Sequence, residues 1–245
     1  MNRGAVEKIM GMLQTRESLL KLPKHIAILT KGKTVWGKKH AIPIEEVYTK
    51  SFLIVRSTML SAIKMDIPIL TFYVMSTKMI DQEKLSILMD CLKTFFDDLI
   101  KRDFIHEHKV KITVFGKWYD LPGRVVDSIK KAIEGTKEYD SFYMNLCLNY
   151  SGQEEIVDAV KLLGRQVKAN KVDVDAITPE MIKENLYCSY FLPPDLIIVN
   201  GSSTSTNGIL LWDSSLSEVY ITKKLWPDFD KSEFLNAIKE YQKGR

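Results

Sequence analysis

Leu196–Val199 is an unbroken apolar run set between Pro193-Pro194-Asp195 and the polar loop Asn200–Gly208, and it limits the fold more tightly than any other stretch. A strand wetted on one face alternates apolar with polar, whereas a strand covered on both faces does not. The run therefore predicts a strand inside a sheet. A loop of Gly, Ser, Thr and Asn leaving its carboxyl end stands where an open α/β sheet holds its ligand. Ile209–Trp212, beyond the loop, is a second apolar run and reads as a strand in the same way.

Runs of this kind recur along the chain, at His25–Leu29, Pro68–Met75, Val110–Phe115, Tyr143–Asn149 and Val219–Ile221, with Asp195–Val199 among them. Between them the apolar spacing is helical. Val6, Ile9, Met10, Leu13, Leu19 and Leu20 form one amphipathic face within residues 1–22. Pro43 opens a helix to about Met65 with Glu45 and Glu46 in its first turn, where the helix dipole favours them. Further helices are predicted from a cap at Asp81 to Arg102, from Leu121 to Gly135, from Glu154 to Val167, within the charged connector 168–186, and from Lys231 to Gln242. Alternation of this kind predicts a single α/β domain over residues 1–245, with a mainly parallel six-stranded sheet flanked by helices. No linker divides it and no repeat is visible.

The 245 residues, 45% hydrophobic and 27% charged, are enough for a full core. The net charge of +4 suits a phosphate-bearing ligand or an anionic membrane surface and falls short of a nucleic-acid binder's footprint. Cys91, Cys147 and Cys188 are odd in number, widely spaced and in apolar surroundings, as buried thiols in a reducing compartment would be. The first residues lack a signal peptide's apolar core, and no run approaches the roughly 20 residues that span a bilayer. A cytoplasmic protein, at most peripheral to a membrane, is expected.

Four clusters invite chemical readings. Ala27–Thr34 matches a relaxed phosphate-loop pattern, but its loop positions Ile28 and Leu29 belong to a strand. Asp103, His106, Glu107 and His108 resemble a metal set, yet i and i+2 residues do not share a helix face, so a solvated turn is expected. Asp97 and Asp98 are adjacent on a helix, point apart, and read as an exposed edge. After His25 and its strand come Lys31, Lys33, Lys38 and Lys39, several cations at a strand's carboxyl end that could hold a diphosphate or simply solubilise a basic loop.

Long ordered motifs carry a resemblance that covers nearly the whole chain. HIAI at 25–28 with Trp36, LTFYVMST at 70–77, NLCLNYSGQEEIVDAV at 145–160, and LPPDLII, GILLW, SEVYIT and LWPDFD between 192 and 230 resemble, in order, the motifs of the cis-prenyltransferases. These are the undecaprenyl and dehydrodolichyl diphosphate synthases. The resemblance implies their fold, condensation of isopentenyl diphosphate onto an allylic diphosphate with Mg²⁺, and a prenyl chain growing in a tunnel between helices. It also implies a dimer interface in the C-terminal block, at Trp212, Glu218, Tyr220 and Trp226. Implied substrate-binding positions are Lys31, Gly32, Lys33, Trp36, Lys38, Asn149, Ser202 and Ser205. From the tail they are Lys243 and Arg245, and Glu218 is the implied metal ligand.

The catalytic words of the family are altered where its fold words are kept. The carboxylate that positions Mg²⁺ before Gly32 is Lys31, and an ammonium cannot coordinate Mg²⁺. The arginine expected before Trp36 is Val35; Ile44, Tyr48 and Met79 stand at three further polar positions. Both arginines of the C-terminal diphosphate clamp are lost, to Val199 and Ser205. Neutral side chains do not replace their charge-assisted bonds. The resemblance is thus closest to the Nogo-B receptor type of subunit, which has the fold and supports a catalytic homologue in a heteromer. The tail Gln242-Lys243-Gly244-Arg245 departs from the R-x-G ending those subunits share with the enzymes. Two other expectations stand beside this one: an active, diverged transferase or terpene synthase with a rebuilt diphosphate site, and a prenyl-lipid-binding homodimer. No nucleic-acid partner is expected.

Overall fold

A computed structural model describes residues 22–76, 82–201 and 203–244. The amphipathic face predicted for residues 5–20, the Asp81 cap, Met79, Ser202 and Arg245 lie outside them.

Six strands form one sheet: β1 (His25–Leu29), β2 (Ile69–Tyr73), β3 (Val110–Phe115), β4 (Phe142–Cys147), β5 (Leu196–Asn200) and β6 (Glu218–Thr222). Their order is β3-β4-β2-β1-β5-β6 and every pair is parallel. In β1, β2 and β5 all five residues are buried, as their unbroken apolar runs require.

Helices α1 (Lys33–His40), α2 (Ile44–Ile63), α3 (Gln82–Leu99), α4 (Asp103–Glu107), α5 (Gly123–Thr136), α6 (Gly152–Lys168), α7 (Pro179–Glu184) and α8 (Lys231–Lys243) complete the described chain. One core, holding Ile28, Val55, Met59, Leu70, Phe72, Leu92, Phe96, Ile129, Trp226 and Phe234, lies between one sheet face and α2, α3, α5 and α8. A second, holding Ala27, Leu29, Tyr150, Ala159, Cys188, Ile197, Val199 and Leu210, fills the other face beneath α6 and α7. All three cysteines are free and buried.

Three expectations are corrected. Ile209–Trp212 is not a strand; it is a turn that runs into a 3-10 turn at Asp213–Leu216. Its apolar residues are explained by packing, since Ile209 and Leu210 are fully buried in the second core. The helix expected to reach Arg102 ends at Leu99, and Asp103–Glu107 is a helix of its own. The basic stretch after β1 is helix α1, whose polar composition hid it because only Trp36 and Gly37 are buried.

Candidate functional site at the carboxyl ends of β1 and β5

The chain leaves β1 toward β2 on one side, and β5 lies on the other, so the order reverses between β1 and β5. The crevice outside the carboxyl ends of two such strands is where an open α/β sheet takes its ligand. Lys31 to Lys33 enter it from β1, and the 201–208 loop enters from β5.

Gly32, at φ +90°, makes the sharp turn into α1, and a Cβ there would lie 2.5 Å from Leu225 Cδ2. A Cβ on Gly201, at φ +82°, would lie 3.2 Å from the same Leu225 atom. Leu225 thus fills the gap between the two glycines. The segment that carries it is stitched to both strands, Trp226 N donating to Lys31 O (2.8 Å) and Gly201 N to Lys224 O (2.9 Å).

The two lysines behave differently from ligand-seeking cations. Lys31 Nζ donates to Ser203 Oγ at 2.8 Å and to the Ser205 carbonyl. It therefore latches β1 to the loop, and desolvation lowers its pKa. Lys33 Nζ donates to Thr30 O (2.5 Å) and Thr30 Oγ1 (2.7 Å). Burial of the amine pushes Lys33 down to about 7. A small void lies beneath it among Tyr48, Ser51, Phe52, Val55, Val74, Leu88 and Trp226. Its volume, open to the centre of a water-sized sphere, is about 10 Å³, enough for about one water. Asn200, fully buried at the end of β5, gives Nδ2 to Lys224 O at 3.5 Å, and its Oδ1 has no hydrogen-bond partner.

The other expected positions are spread out. Trp36 is buried, with Nε1 donating to Asp228 Oδ1 (2.7 Å), His40 stacked on one side at 4.3 Å and Lys50 Nζ 4.2 Å from the ring centre. Its faces and its donor are thereby occupied within the chain. Lys38 is exposed in the last turn of α1. Asn149, at φ +47°, donates to Lys117 O (3.0 Å) and lines a separate cleft with Met75, Ser76, Gln82 and Arg124.

Glu218 opens β6 opposite Leu196, three registers before the Ile221–Val199 level, about 10 Å back along the strands. Within one chain it stands at the other end of the sheet from Lys31. The tail shares that end: a Cβ on Gly244 would lie 3.2 Å from Glu218 Oε2, and Lys243 Nζ pairs with Glu240 at 2.6 Å.

The interface set divides as well. Trp226 is fully buried, donating Nε1 to Ser51 O (3.2 Å) and stacking on Phe229 at 5.2 Å, so it belongs to the core. Tyr220 is half-buried, its hydroxyl donating to Glu233 Oε1 at 2.8 Å. Trp212 is half-buried against the second core. The exposed apolar residues here are Leu211, Leu216, Val219 and Ile221. Val219 and Ile221 pair in register with Ile197 and Val199. They therefore continue the second core past the edge of its cover.

The acid and histidine clusters are structural. Asp97 pairs with Lys93 on its own helix, and Asp98 with Arg102 just beyond that helix's end. His106 bridges Tyr139 Oη and Ile100 O, each at 2.8 Å. Among the described residues no three His, Cys, Asp or Glu side chains meet as a metal set. No helix among them is long and apolar enough to cross a membrane.

Residues 29–245 match the prenyltransferase family described as undecaprenyl diphosphate synthase. The chain belongs to that family. It is 33% identical over 223 residues to tritrans,polycis-undecaprenyl-diphosphate synthase (geranylgeranyl-diphosphate specific) of Thermoplasma volcanium, covering 90% of this chain and 86% of that one. It is also 33% identical over 229 residues to an isoprenyl transferase of Streptococcus mutans, covering 91% of each. Lavandulyl diphosphate synthase from Lavandula x intermedia, solved with dimethylallyl diphosphate, superposes with a TM-score of 0.87 at 22% identity over 91% of this chain and 96% of that one. That likeness establishes the undecaprenyl diphosphate synthase-like fold.

Members of this family generally work with Mg²⁺. The donors gathered at the crevice do not fit that ion. Neither residues 30–42 nor residues 200–208 contain an Asp or Glu, and the Lys31 amine stands at the crevice instead. Mg²⁺ takes hard oxygen ligands, chiefly carboxylates, and is repelled by such cations.

Sequence reasoning named Lys31 and Lys33 but missed their partners Thr30 and Ser203, as well as Leu225, Asn200 and Tyr150. Lysine after a strand is visible in one dimension, whereas the acceptor it chooses 172 residues away is not.

Proposed function

We propose that this chain serves prenyl diphosphate synthesis from isopentenyl diphosphate and an allylic diphosphate as the supporting subunit of a two-chain enzyme, beside a catalytic relative that holds Mg²⁺. The observation that carries the reading is the Lys31 latch. At the position where the family resemblance calls for a metal-positioning carboxylate, an ammonium spends its donors on Ser203 and Ser205 of the loop that replaced the clamp. A diphosphate would have to displace those internal bonds and would gain no arginine fork in return.

The apolar face of Leu211, Leu216, Val219 and Ile221 supports the partner in this reading, because monomeric proteins seldom leave such faces open. In this reading Glu218, Gly244 and Lys243, which lie at the end of the sheet opposite their own chain's crevice, serve a neighbouring chain rather than their own. A homodimer would cover the same face.

A second reading is favoured by the relatives, which are named as a synthase and an isoprenyl transferase. In it, Lys31 and Lys33 hold the diphosphate without the usual metal, and the chain turns over alone. Isopentenyl transfer onto farnesyl and geranylgeranyl diphosphate with Mg²⁺ separates the two. The first reading expects turnover only in a mixture with a catalytic-type homologue from the same cell, undiminished by alanine at Lys31 and Lys33. Turnover by the chain alone, lost on those substitutions, would overturn it.

A further inference from the structure

The loop over the crevice is anchored at three points. At its entrance Gly201 N is tied to Lys224 O, and in its middle Lys31 holds Ser203 and Ser205. Its exit is unusual: Asn207, Gly208 and Leu210 all have positive φ, and Leu210, at +44°, is a branched residue that disfavours the left-handed region. Leu210 is also fully buried, so its N–H has no access to water.

Tyr150 supplies that N–H with an acceptor. Leu210 N donates to Tyr150 Oη at 3.1 Å, and the hydroxyl in turn donates to Glu155 Oε2. Tyr150 is fully buried and held from its other end, where Tyr73 Oη donates to its carbonyl at 3.1 Å. Glu155, buried at the start of α6, is fixed by Cys188 N (3.2 Å). Gly152 completes the mount, since a Cβ there would sit 2.2 Å from Gly208 O.

We infer that Tyr150 is a positioning residue for the crevice loop, its hydroxyl holding the loop's exit in the left-handed turn that sets Ser203 and Ser205 within reach of Lys31. The 149–156 motif is then the mount of the loop rather than part of the binding surface, which accounts for Asn149 facing Lys117 instead. The inference rests on the reading that this loop occupies the diphosphate side of the crevice, but its test does not depend on turnover.

The variant is Tyr150→Phe, which keeps the ring on Tyr73 (5.8 Å between centres) and removes only the hydroxyl. Amide exchange of the full chain, followed by mass spectrometry, is expected to quicken at least about tenfold in peptides covering 203–210, the scale of one lost buried hydrogen bond. Lys31 should become labelled faster by an amine-selective reagent, while exchange in β1, β2 and β5 stays unchanged. Tyr187→Phe is the comparison; that ring packs 6.4 Å from Tyr150 and its hydroxyl binds Asp158, away from the loop. Unaltered loop exchange in Tyr150→Phe, or acceleration spread equally over the strands, overturns the inference. Failure of isopentenyl transfer in every mixture would instead remove the functional reading and leave this result standing.

Discussion

The crevice between β1 and β5 and the outer face of β6 lie in one sheet and differ in how far the chain completes them. In the crevice, donors and space are taken up from within: Lys31 by Ser203 and Ser205, Lys33 by Thr30, and the gap between two glycines by Leu225. Along β6, Val219 and Ile221 extend the apolar face of Ile197 and Val199 and are about half exposed, at 47% and 44%. A site built to receive a diphosphate leaves donors open, whereas a surface built to receive a protein leaves apolar area open. In the proposed reading this chain closes the first and leaves open the second.

The largest effect expected from breaking that contrast is at β6. Val219→Lys with Ile221→Lys puts two cations on the open face while replacing only exposed side chains. Sedimentation should show loss of the dimer or heteromer, and mixture turnover should fall by at least about tenfold, with the melting temperature of the isolated chain little changed. Assembly that persists in the double variant would move the partner surface elsewhere and dissolve the contrast.

The next effect concerns how tightly the first strand is enclosed. His25 is buried, its ring nitrogens placed 2.6 Å from Leu192 O and 2.8 Å from Thr71 Oγ1. Burial, only partly offset by the Leu192 carbonyl and the Asp195 charge, lowers it from 6.5 to about 4. Between those values the unfolded chain binds a proton that the folded chain refuses, so stability falls as pH drops from about 6.5 to about 4. The full span corresponds to about 3 kcal/mol. Urea unfolding at pH 7 and pH 4.5 checks it: His25→Gln should flatten that part of the profile. An unchanged slope in the variant would assign the acid sensitivity to other groups.

The sheet was legible in the sequence because burial on both faces writes itself as an unbroken apolar run, and β1, β2 and β5 are buried throughout. The same signal misled at Ile209–Trp212, where Ile209 and Leu210 are apolar because a turn, not a strand, is packed into the second core. Helix α1 was missed for the opposite reason, having almost no apolar face to mark its period. Family motifs located the crevice, but not its state. Trp226 lies in a motif assigned to the interface and is a core residue, because its indole finds Ser51 O inside the fold. Partners of Lys31 and Tyr150 lie 172 and 60 positions away, a separation that no local pattern encodes.

The third effect bears on the closed half directly. Lys33 stands beside an apolar void with its amine pushed down to about 7 from 10.5, burial being the cause. Below about pH 7 both folded and unfolded chains are protonated there, and the folded state bears the whole cost of enclosing a charge. From about 7 to 10.5 the unfolded chain still binds the proton and the folded chain does not, so wild-type stability rises with pH. Lys33→Met removes the charge and keeps the length of the side chain. It should therefore be more stable than wild type near pH 6.5, with the gap narrowing by pH 9.5, in parallel urea titrations. A gap independent of pH would mean that Lys33 keeps its charge in the folded chain. The crevice would then hold a live cation available to a diphosphate, and the distinction between the closed site and the open face would give way to the reading in which this chain catalyses alone.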